Sequence, residues 1–442
     1  MTESPAAPGA ASQRWTCPFC LLLCDDLEPR AATPGSAGTS APAWELARGH
    51  CAPARAALAQ FTPVRDAAAP LIDGRPGDLP AALHAAARWL VASRQPLFGG
   101  LGTDVAGARA LYPLACATGA ICDAAGGAEL MHGVRALQDR GGFTTTLAEV
   151  RNRADVIVCL GGLPAGDAAD FFVRCGLGEA LVAQRHVVVF GGEEGSHADA
   201  AGLAALQQHP GIGTEWLPLE DDLFTTLAML AAQLAGRAAR DVPAPLAALA
   251  ARLRAARYSV VVGEARRWPE HGALLIEAVD RIVATLNTET RAAAFWLGGG
   301  NGAGSVNQVF TWLSGLPLRS RAGPCGLEHE PVCFDAARLL ADGAVDSVLW
   351  ISSFDAACVP PATALPLIVL GPPAMAAAAA RAGSIFIPVA TPGLGAAGHL
   401  FRADGGVVVP LTPLFADPLP GVAEVLGGLT LAVHAARTGW AA

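Results

Sequence analysis

The sequence Asp155-Val-Ile-Val-Cys-Leu-Gly-Gly-Leu-Pro164 has the pattern that decides the fold: a short apolar run that ends in a glycine- and proline-containing loop. Parallel strands that are buried on both faces have such unbroken apolar runs. The pattern recurs along the chain in candidate strands 186–190, 259–262, 293–297, 347–351, 367–370 and 384–389, most of which also end in Gly or Pro. An earlier run, 96–102, resembles a short strand entering a Gly-rich turn.

Helical patterns separate these runs. Apolar residues at three- and four-residue spacing from Leu79 to Val91 predict one helix, and a second is predicted through 109–118. The Ala- and Leu-rich stretch 222–256 is typical of one or two amphipathic helices. The alternation predicts an α/β fold with doubly wound parallel sheets, in which ligands bind outside the carboxyl ends of the strands.

The loop Gly298-Gly-Gly-Asn-Gly-Ala-Gly304 lies at such a position. It follows a predicted strand and precedes a predicted helix, 305–312, for which Ser305 is a plausible cap. Backbone amides of a Gly-rich turn that opens a helix can bind an anion. The spacing is not GxGxxG, so a loop that only permits a tight turn is an equal alternative.

A cluster of cysteines precedes all of these elements. Trp15-Thr-Cys17-Pro-Phe-Cys20-Leu-Leu-Leu-Cys24-Asp-Asp26 supplies three thiols, and Gly49-His50-Cys51 supplies a fourth. A triplet with one later cysteine favours a [4Fe–4S] cluster. Zinc is the alternative, although its sites usually combine two CxxC pairs, and an empty motif is a third reading. Asp25 and Asp26 either lower the potential of a cluster or are polar residues of a turn or of a helix start.

Composition excludes several classes of function. The chain has 442 residues, of which 52% are apolar and 16% charged, and its net charge is −9. It contains no lysine and no basic tract, which argues against nucleic-acid binding. The longest uncharged run, 356–380, contains five prolines and cannot be a membrane helix. Residues 1–12 are predicted to be disordered and show no signal peptide, so a cytoplasmic location is expected.

Several further motifs stand out besides the cysteines with Cys24-Asp-Asp26: they are 96–99, 119–123, His132-Gly133 with 136–138, 147–155, 307–312 and 399–404. Together these motifs resemble the B subunit of formylmethanofuran dehydrogenases and of the bacterial formyltransferase/hydrolase complex. The resemblance extends over most of the chain, and the order of the motifs makes it specific.

This resemblance implies a molybdopterin-oxidoreductase-like fold. Its expected parts are a cysteine subdomain (1–65, with a disordered start), an α/β subdomain (66–149 with 298–442) and a second one (150–297), without a C-terminal β-barrel cap. The cluster ligands would be Cys17, Cys20, Cys24 and Cys51. The glycine loop would lie where a molybdenum or tungsten pterin cofactor is held in the dehydrogenases, and the candidate pterin-site residues are Gly298, Gly300, Gly302, Gly304 and Asn307.

One departure from the family bears on activity. In the dehydrogenase, a cysteine or selenocysteine precedes the His-Gly pair and ligates the metal, whereas Met131 precedes His132 here. A neutral thioether is a poor ligand for high-valent molybdenum or tungsten. Cys122 could replace that ligand only if the alignment shifts, and Arg55 alone could serve as the basic residue after the fourth cysteine.

The sequence therefore predicts a non-redox structural component of a formyltransferase/hydrolase complex in one-carbon metabolism. Its partners would be the A, C and D subunits, which release formate from the formyl carrier. One alternative is a redox-active dehydrogenase component with [4Fe–4S] and a molybdenum or tungsten pterin, and another is a stand-alone ligand-binding protein. Lesser candidates are an ion site at Glu193, Glu194 and His197, and His329 as a loop residue or a contact to another chain.

Overall fold

The computed structural model describes residues 14–31, 44–49, 51–60, 68–179, 181–191, 197–219, 222–237, 242–268 and 271–439. The strands are β1 Glu28–Ala31, β2 Trp44–Arg48, β3 Leu71–Ile72, β4 Arg75–Pro76, β5 Pro96–Gly102, β6 Ile121–Cys122, β7 Val156–Leu160, β8 Arg185–Phe190, β9 Ile212–Leu217, β10 Ser259–Glu264, β11 Ala292–Leu297, β12 Ser320–Gly323, β13 Gly326–His329, β14 Ser347–Ser352, β15 Leu367–Gly371, β16 Ser384–Pro388, β17 Gly398–Phe401 and β18 Val408–Leu411.

The α-helices are α1 Ala52–Gln60, α2 Leu79–Ala92, α3 Val105–Thr118, α4 Gly127–Arg140, α5 Leu147–Arg153, α6 Phe171–Arg174, α7 His197–Gln207, α8 Leu223–Leu234, α9 Ala244–Ala255, α10 Gly272–Leu286, α11 Ala303–Ser314, α12 Ala336–Ala341 and α13 Val422–Thr438. Short 3-10 helices are Gly166–Ala168, Ala265–Arg267 and Pro373–Ala379. No helix among these residues is both long and apolar enough to cross a bilayer.

A five-stranded sheet has the order β11-β10-β7-β8-β9, and every pair in it is parallel. Alternate residues of β7 face two different cores: Ile157 and Cys159 pack with the cysteine segment, whereas Val158 and Leu160 pack with α8, α9 and α10. Because both faces are covered, the strand is apolar at every position.

A nine-stranded sheet has the order β13-β12-β6-β5-β14-β15-β16-β3-β4. Strands β6, β5, β14, β15 and β16 are parallel, and antiparallel strands extend both edges. Phe98 of β5 faces the core shared with α2, α3, α11 and α13, and Leu97 faces the opposite core. The predicted α/β class with parallel sheets is confirmed, while the division into separate domains stays a prediction.

Most predicted elements occur within two or three residues of their expected bounds, and 222–256 forms two helices, α8 and α9. Aspartate side chains cap four of the described helices, α2, α3, α8 and α12; for example, Asp78 accepts a hydrogen bond from the Ala81 amide at 2.7 Å and Asp104 accepts one from the Gly107 amide at 2.9 Å. Residues 1–12, which are predicted to be disordered, lie outside the described residues.

The expected serine cap of α11 is wrong. The helix begins at Ala303 and its cap residue is Gly302, with φ +76°. Ser305 instead accepts a hydrogen bond from the Phe401 amide at 2.9 Å, because α11 packs against the β17–β18 hairpin. The serine side chain therefore joins two elements and does not cap one.

Candidate functional site

The four predicted cluster ligands lie together. Cys17, Cys20, Cys24 and Cys51 are at most 6% exposed and belong to one core under the five-stranded sheet. The Cys17 amide donates to the Cys24 carbonyl at 2.9 Å, which closes the loop that carries the first three. Cys51 directly precedes α1, and the Ala54 amide of that helix donates to its sulfur at 3.4 Å.

The thiols hydrogen-bond with one another, and their acidities diverge for that reason. Burial, followed by hydrogen bonds with Cys20 and Cys51, raises the pKa of Cys17. Hydrogen bonds with Cys17, Cys24 and Cys51 lower the pKa of Cys20 far below its ordinary value. A hydrogen bond with Cys20, together with burial, raises the pKa of Cys24. The opposite directions of these pKa shifts indicate that the sulfurs lie within interaction distance of one another.

Sulfur-only ligand sets suit iron–sulfur clusters and structural zinc. In the part of the chain that the structure describes, however, no group of three or more Cys, His, Asp or Glu side chains is placed so that it could bind one metal ion. The four predicted ligands are neighbours, and metal binding by them stays a prediction.

Asp25 and Asp26 lie next to an arginine from outside the cysteine segment. Arg174 of α6, whose side chain is 16% exposed, lies 2.7 Å from Asp25 Oδ1 and 4.0 Å from Asp26 Oδ1. Arg55 is exposed on α1. The two aspartates have a structural role as ion-pair partners beside the thiols.

The glycine loop reaches the strand-reversal point of the nine-stranded sheet. This is the crevice between β5 and β14, from which successive parallel strands are added in opposite directions. Ligands of open α/β sheets bind outside the strand ends at such a point. Here Asn301 occupies it: its Nδ2 lies 3.3 Å from Ser352 Oγ, and a Cβ on Gly102 would lie 2.9 Å from its side chain. A Cβ on Gly302 would lie 2.4 Å from the Thr103 carbonyl oxygen. The chain itself fills this crevice.

The five-stranded sheet reverses between β7 and β10, and side chains fill that point as well. Glu264, 4% exposed, accepts the Ala165 amide at 3.1 Å and pairs with Arg266 at 2.8 Å. Arg267 donates to the carbonyls of Gly161 at 2.7 Å and Leu163 at 2.6 Å. The groups that could bind a ligand here are satisfied within the chain.

Met131, at the position of the family's metal-binding cysteine, does not face a cavity in the described part of the chain. Met131 is 2% exposed and packs in the core of the nine-stranded sheet, as does Cys122. His132 lies against α10, where a Cβ on Gly272 would approach its ring to 2.6 Å. Burial, and then the charges of Arg135 and Arg319, lower the pKa of His132. Neither sulfur can reach a metal between the two sheets.

A cavity of about 190 Å³ remains between the glycine loop, α4 and the β17–β18 hairpin. Its polar lining includes Asn307, whose Oδ1 accepts the Leu318 amide at 3.0 Å, and Arg402, which donates to Asp404 at 2.6 and 2.9 Å. Drug-sized ligands occupy about 300–1,000 Å³. The cavity is therefore too small for a pair of pterin dinucleotides.

The candidate pterin residues separate into two groups. Gly298, Gly304 and Asn307 line this cavity, whereas Gly300 and Gly302 do not. Sequence reasoning missed Asn301, Glu264 and Arg267. The one available signal was the asparagine in the glycine loop, since asparagine tolerates the left-handed backbone (φ +51°) that the turn requires.

Two minor predictions have different outcomes. His329 lies in β13, not in a loop, and its Nδ1 is 3.0 Å from the Arg319 carbonyl oxygen. The proposed ion site at Glu193, Glu194 and His197 falls outside the described side chains.

No family model matches the chain. It is 31% identical over 350 residues to the Fhc B subunit of the formyltransferase/hydrolase complex of Methylorubrum extorquens, an alignment that covers 76% of this chain and 89% of that protein. It is 28% identical over 433 residues to the B subunit of tungsten-containing formylmethanofuran dehydrogenase 2 of Methanocaldococcus jannaschii, covering 92% and 94%.

A solved structure supports the same relationship. The crystal structure of the formyltransferase/hydrolase complex (FhcABCD) from Methylorubrum extorquens with methylofuran contains a similar chain, with a TM-score of 0.70 and 28% identity. The match covers 84% of this chain and all of that one. The predicted resemblance is confirmed: the chain belongs to the family of the B subunits of formyltransferase/hydrolase complexes.

Proposed function

We propose that this protein is a non-redox structural component of a formyltransferase/hydrolase complex in one-carbon metabolism. The A, C and D subunits of that complex would be its partners, and they would carry the formyl transfer and the hydrolysis to formate. The proposal includes a molybdopterin-oxidoreductase-like layout of the two sheets and a location in the cytoplasm.

The observation that carries the proposal is the filling of both strand-reversal points by the chain itself. A pterin dinucleotide needs open crevices at these points and backbone amides directed into them. Asn301 takes up one crevice, and Glu264 with Arg267 takes up the other. Opening either one would break hydrogen bonds of buried groups, at a cost of about 1–3 kcal/mol for each group left unpaired.

The buried Met131 adds a second, independent argument. A thioether in an apolar core cannot take the place of an anionic thiolate at molybdenum or tungsten. The residues present do not fit the pterin cofactor, and no redox step is assigned to this chain.

The cysteine set is the better candidate for a structural metal, because it supplies four buried sulfurs and no other ligand type, although the side chains would have to rearrange to bind one ion. Within the proposal, Cys17, Cys20, Cys24 and Cys51 hold a structural [4Fe–4S] cluster, with zinc as the alternative. Such a cluster would tie the N-terminal segment to the face of the five-stranded sheet.

The test is metal analysis of the complex, purified anaerobically through a tag on this chain. The expected result is co-purification of three other subunits and formyl hydrolysis without stoichiometric molybdenum or tungsten. Stoichiometric molybdenum or tungsten with pterin would instead establish the redox-active dehydrogenase, which the long alignment with the tungsten enzyme favours.

A matched pair of variants tests the cysteine set separately. Cys20→Ser should lower the iron content and the thermal stability of the complex. Cys175→Ser is the control, since Cys175 is buried in the same core but lies outside the quartet. Equal metal content in wild type and Cys20→Ser would refute the cluster and leave the scaffold role untouched.

A further inference from the structure

A cavity of about 450 Å³ lies far from both strand-reversal points and has no role in the proposed function. It lies where the last turns of α4, α8 and α10 converge. Its volume is within the range of small-molecule sites, about 300–1,000 Å³. The lining residues are Arg140, Gly141, Gly142, Phe143, Ala228, Ala231, Ala232, Ala235, Arg237, Asp280, Arg281, Ala284 and Thr285.

Asp280 lines this cavity with an unused hydrogen-bond acceptor. The residue is only 7% exposed, and its Oδ1 is buried and accepts no hydrogen bond from the described residues. Leaving a buried polar group unpaired costs about 1–3 kcal/mol, and more for a charged one. A donor supplied from outside the chain would remove that cost.

Helix ends add to the negative potential near Asp280. The C-terminal end of a helix carries about half a negative charge, and three such ends meet at the cavity. A protonated amine is therefore favoured over a neutral donor at this position.

Arginines give the cavity the opposite charge near solvent. The side chains of Arg140 and Arg281 are 48% and 45% exposed, and both approach Glu277, at 3.3 and 3.6 Å. With Arg237, the three guanidinium groups outnumber the carboxylates of Glu277 and Asp280 by one. Guanidinium groups bind carboxylates in a bidentate manner, so the rim favours an anionic group.

We propose that this cavity binds a small amino-carboxylic acid, with its protonated amine at Asp280 and its carboxylates at the arginine rim. Alanines of α8 and α10 form the walls between the two ends, and their short side chains leave room for an aliphatic chain. The site is distinct from the filled crevices at the strand ends.

Binding to the purified complex tests the proposal, with calorimetry as the readout. The probes are 2-aminoadipate, its N-acetyl derivative and adipate, which separate the amine from the carboxylates. We expect 2-aminoadipate to bind at least tenfold more tightly than the other two. Asp280→Asn should abolish that preference, since the neutral amide no longer attracts the amine.

Two further variants complete the design. Ala232→Phe should fill the cavity and abolish binding without changing its charge. Asp342→Asn, at an exposed carboxylate directly after α12, is the control for loss of a carboxylate and should bind as the wild type does. Absence of binding, equal binding of the three probes, or unchanged selectivity in Asp280→Asn would overturn the proposal and would show that Asp280 faces water only.

Discussion

Replacing Gly302 by alanine tests whether the glycine loop truly fills the crevice between β5 and β14. Gly302 has φ +76°, a left-handed conformation that costs an L-residue about 1–2 kcal/mol. In addition, the new Cβ would lie 2.4 Å from the Thr103 carbonyl oxygen and 2.9 Å from its amide nitrogen. Both atoms are backbone, so one of the two segments must move. Such overpacking adds about 1–3 kcal/mol.

The same helix provides a matched control. Gly315 ends α11 with φ +77°, and a Cβ there meets no atom within 4 Å. Gly315→Ala should therefore lower the free energy of unfolding by the conformational cost alone, about 1–2 kcal/mol. Gly302→Ala should lower the free energy of unfolding by about 2–5 kcal/mol, the sum of the conformational cost and the cost of overpacking.

Urea unfolding of the purified protein measures both variants, with the transition midpoints compared at equal slope. The reasoning requires a clearly lower midpoint for Gly302→Ala than for Gly315→Ala. If the two variants unfold together, the loop does not press against Thr103, the crevice can open, and the main argument against a pterin cofactor is lost.

Three other predictions follow from buried polar groups. Arg319→Met should lower the free energy of unfolding by about 3–5 kcal/mol, because it leaves two carboxylates without their buried partner; Arg338→Met, which removes an exposed pair, should cost less than about 1 kcal/mol. Burial, and then the charge of Glu277, raise the pKa of Asp280 to about 6. Protonated Asp280 favours the folded state below pH 4, and this stabilisation is lost as the pH rises through 6. The free energy of unfolding of Asp280→Asn should therefore rise relative to that of the wild type by up to about 3 kcal/mol between pH 4 and 8, as measured in thermal melts without ligand. Trp15→Phe should cost about 1–3 kcal/mol in urea unfolding, since the Gly393 carbonyl loses its buried indole donor at 2.7 Å, and no change would show that water replaces it.

Strands buried on both faces were the most predictable elements. The central residues of β7, β10 and β14 are apolar because both cores require it, and each strand was found within two residues of its predicted bounds. The antiparallel strands β12 and β13, which extend one side of the nine-stranded sheet, were not predicted. Their residues face solvent in part, and antiparallel pairing at an edge leaves little pattern in the sequence.

The candidate site was predictable by residue type and not by arrangement. The spacing of the cysteines indicated that Cys51 joins the other three, and all four are neighbours. Spacing could not show that Asn301 contacts Ser352, about 50 residues later in the sequence, and so fills the crevice. That contact depends on how the two sheets meet. Met131 is an intermediate case: its residue type excluded a metal ligand, but only the structure shows that it belongs to a core.

The pairing of β5 with β14 affects how the protein is made. Pro96 pairs with Ser347, so 251 residues must be synthesised before β5 gains this neighbour, which takes about 10–50 s on a ribosome. All strands of the five-stranded sheet lie between these two and can pair first. During that interval the nascent chain exposes Leu97 and Phe98, both fully buried in the finished protein. The strand β5 therefore remains without its neighbour β14 until the last third of the chain emerges.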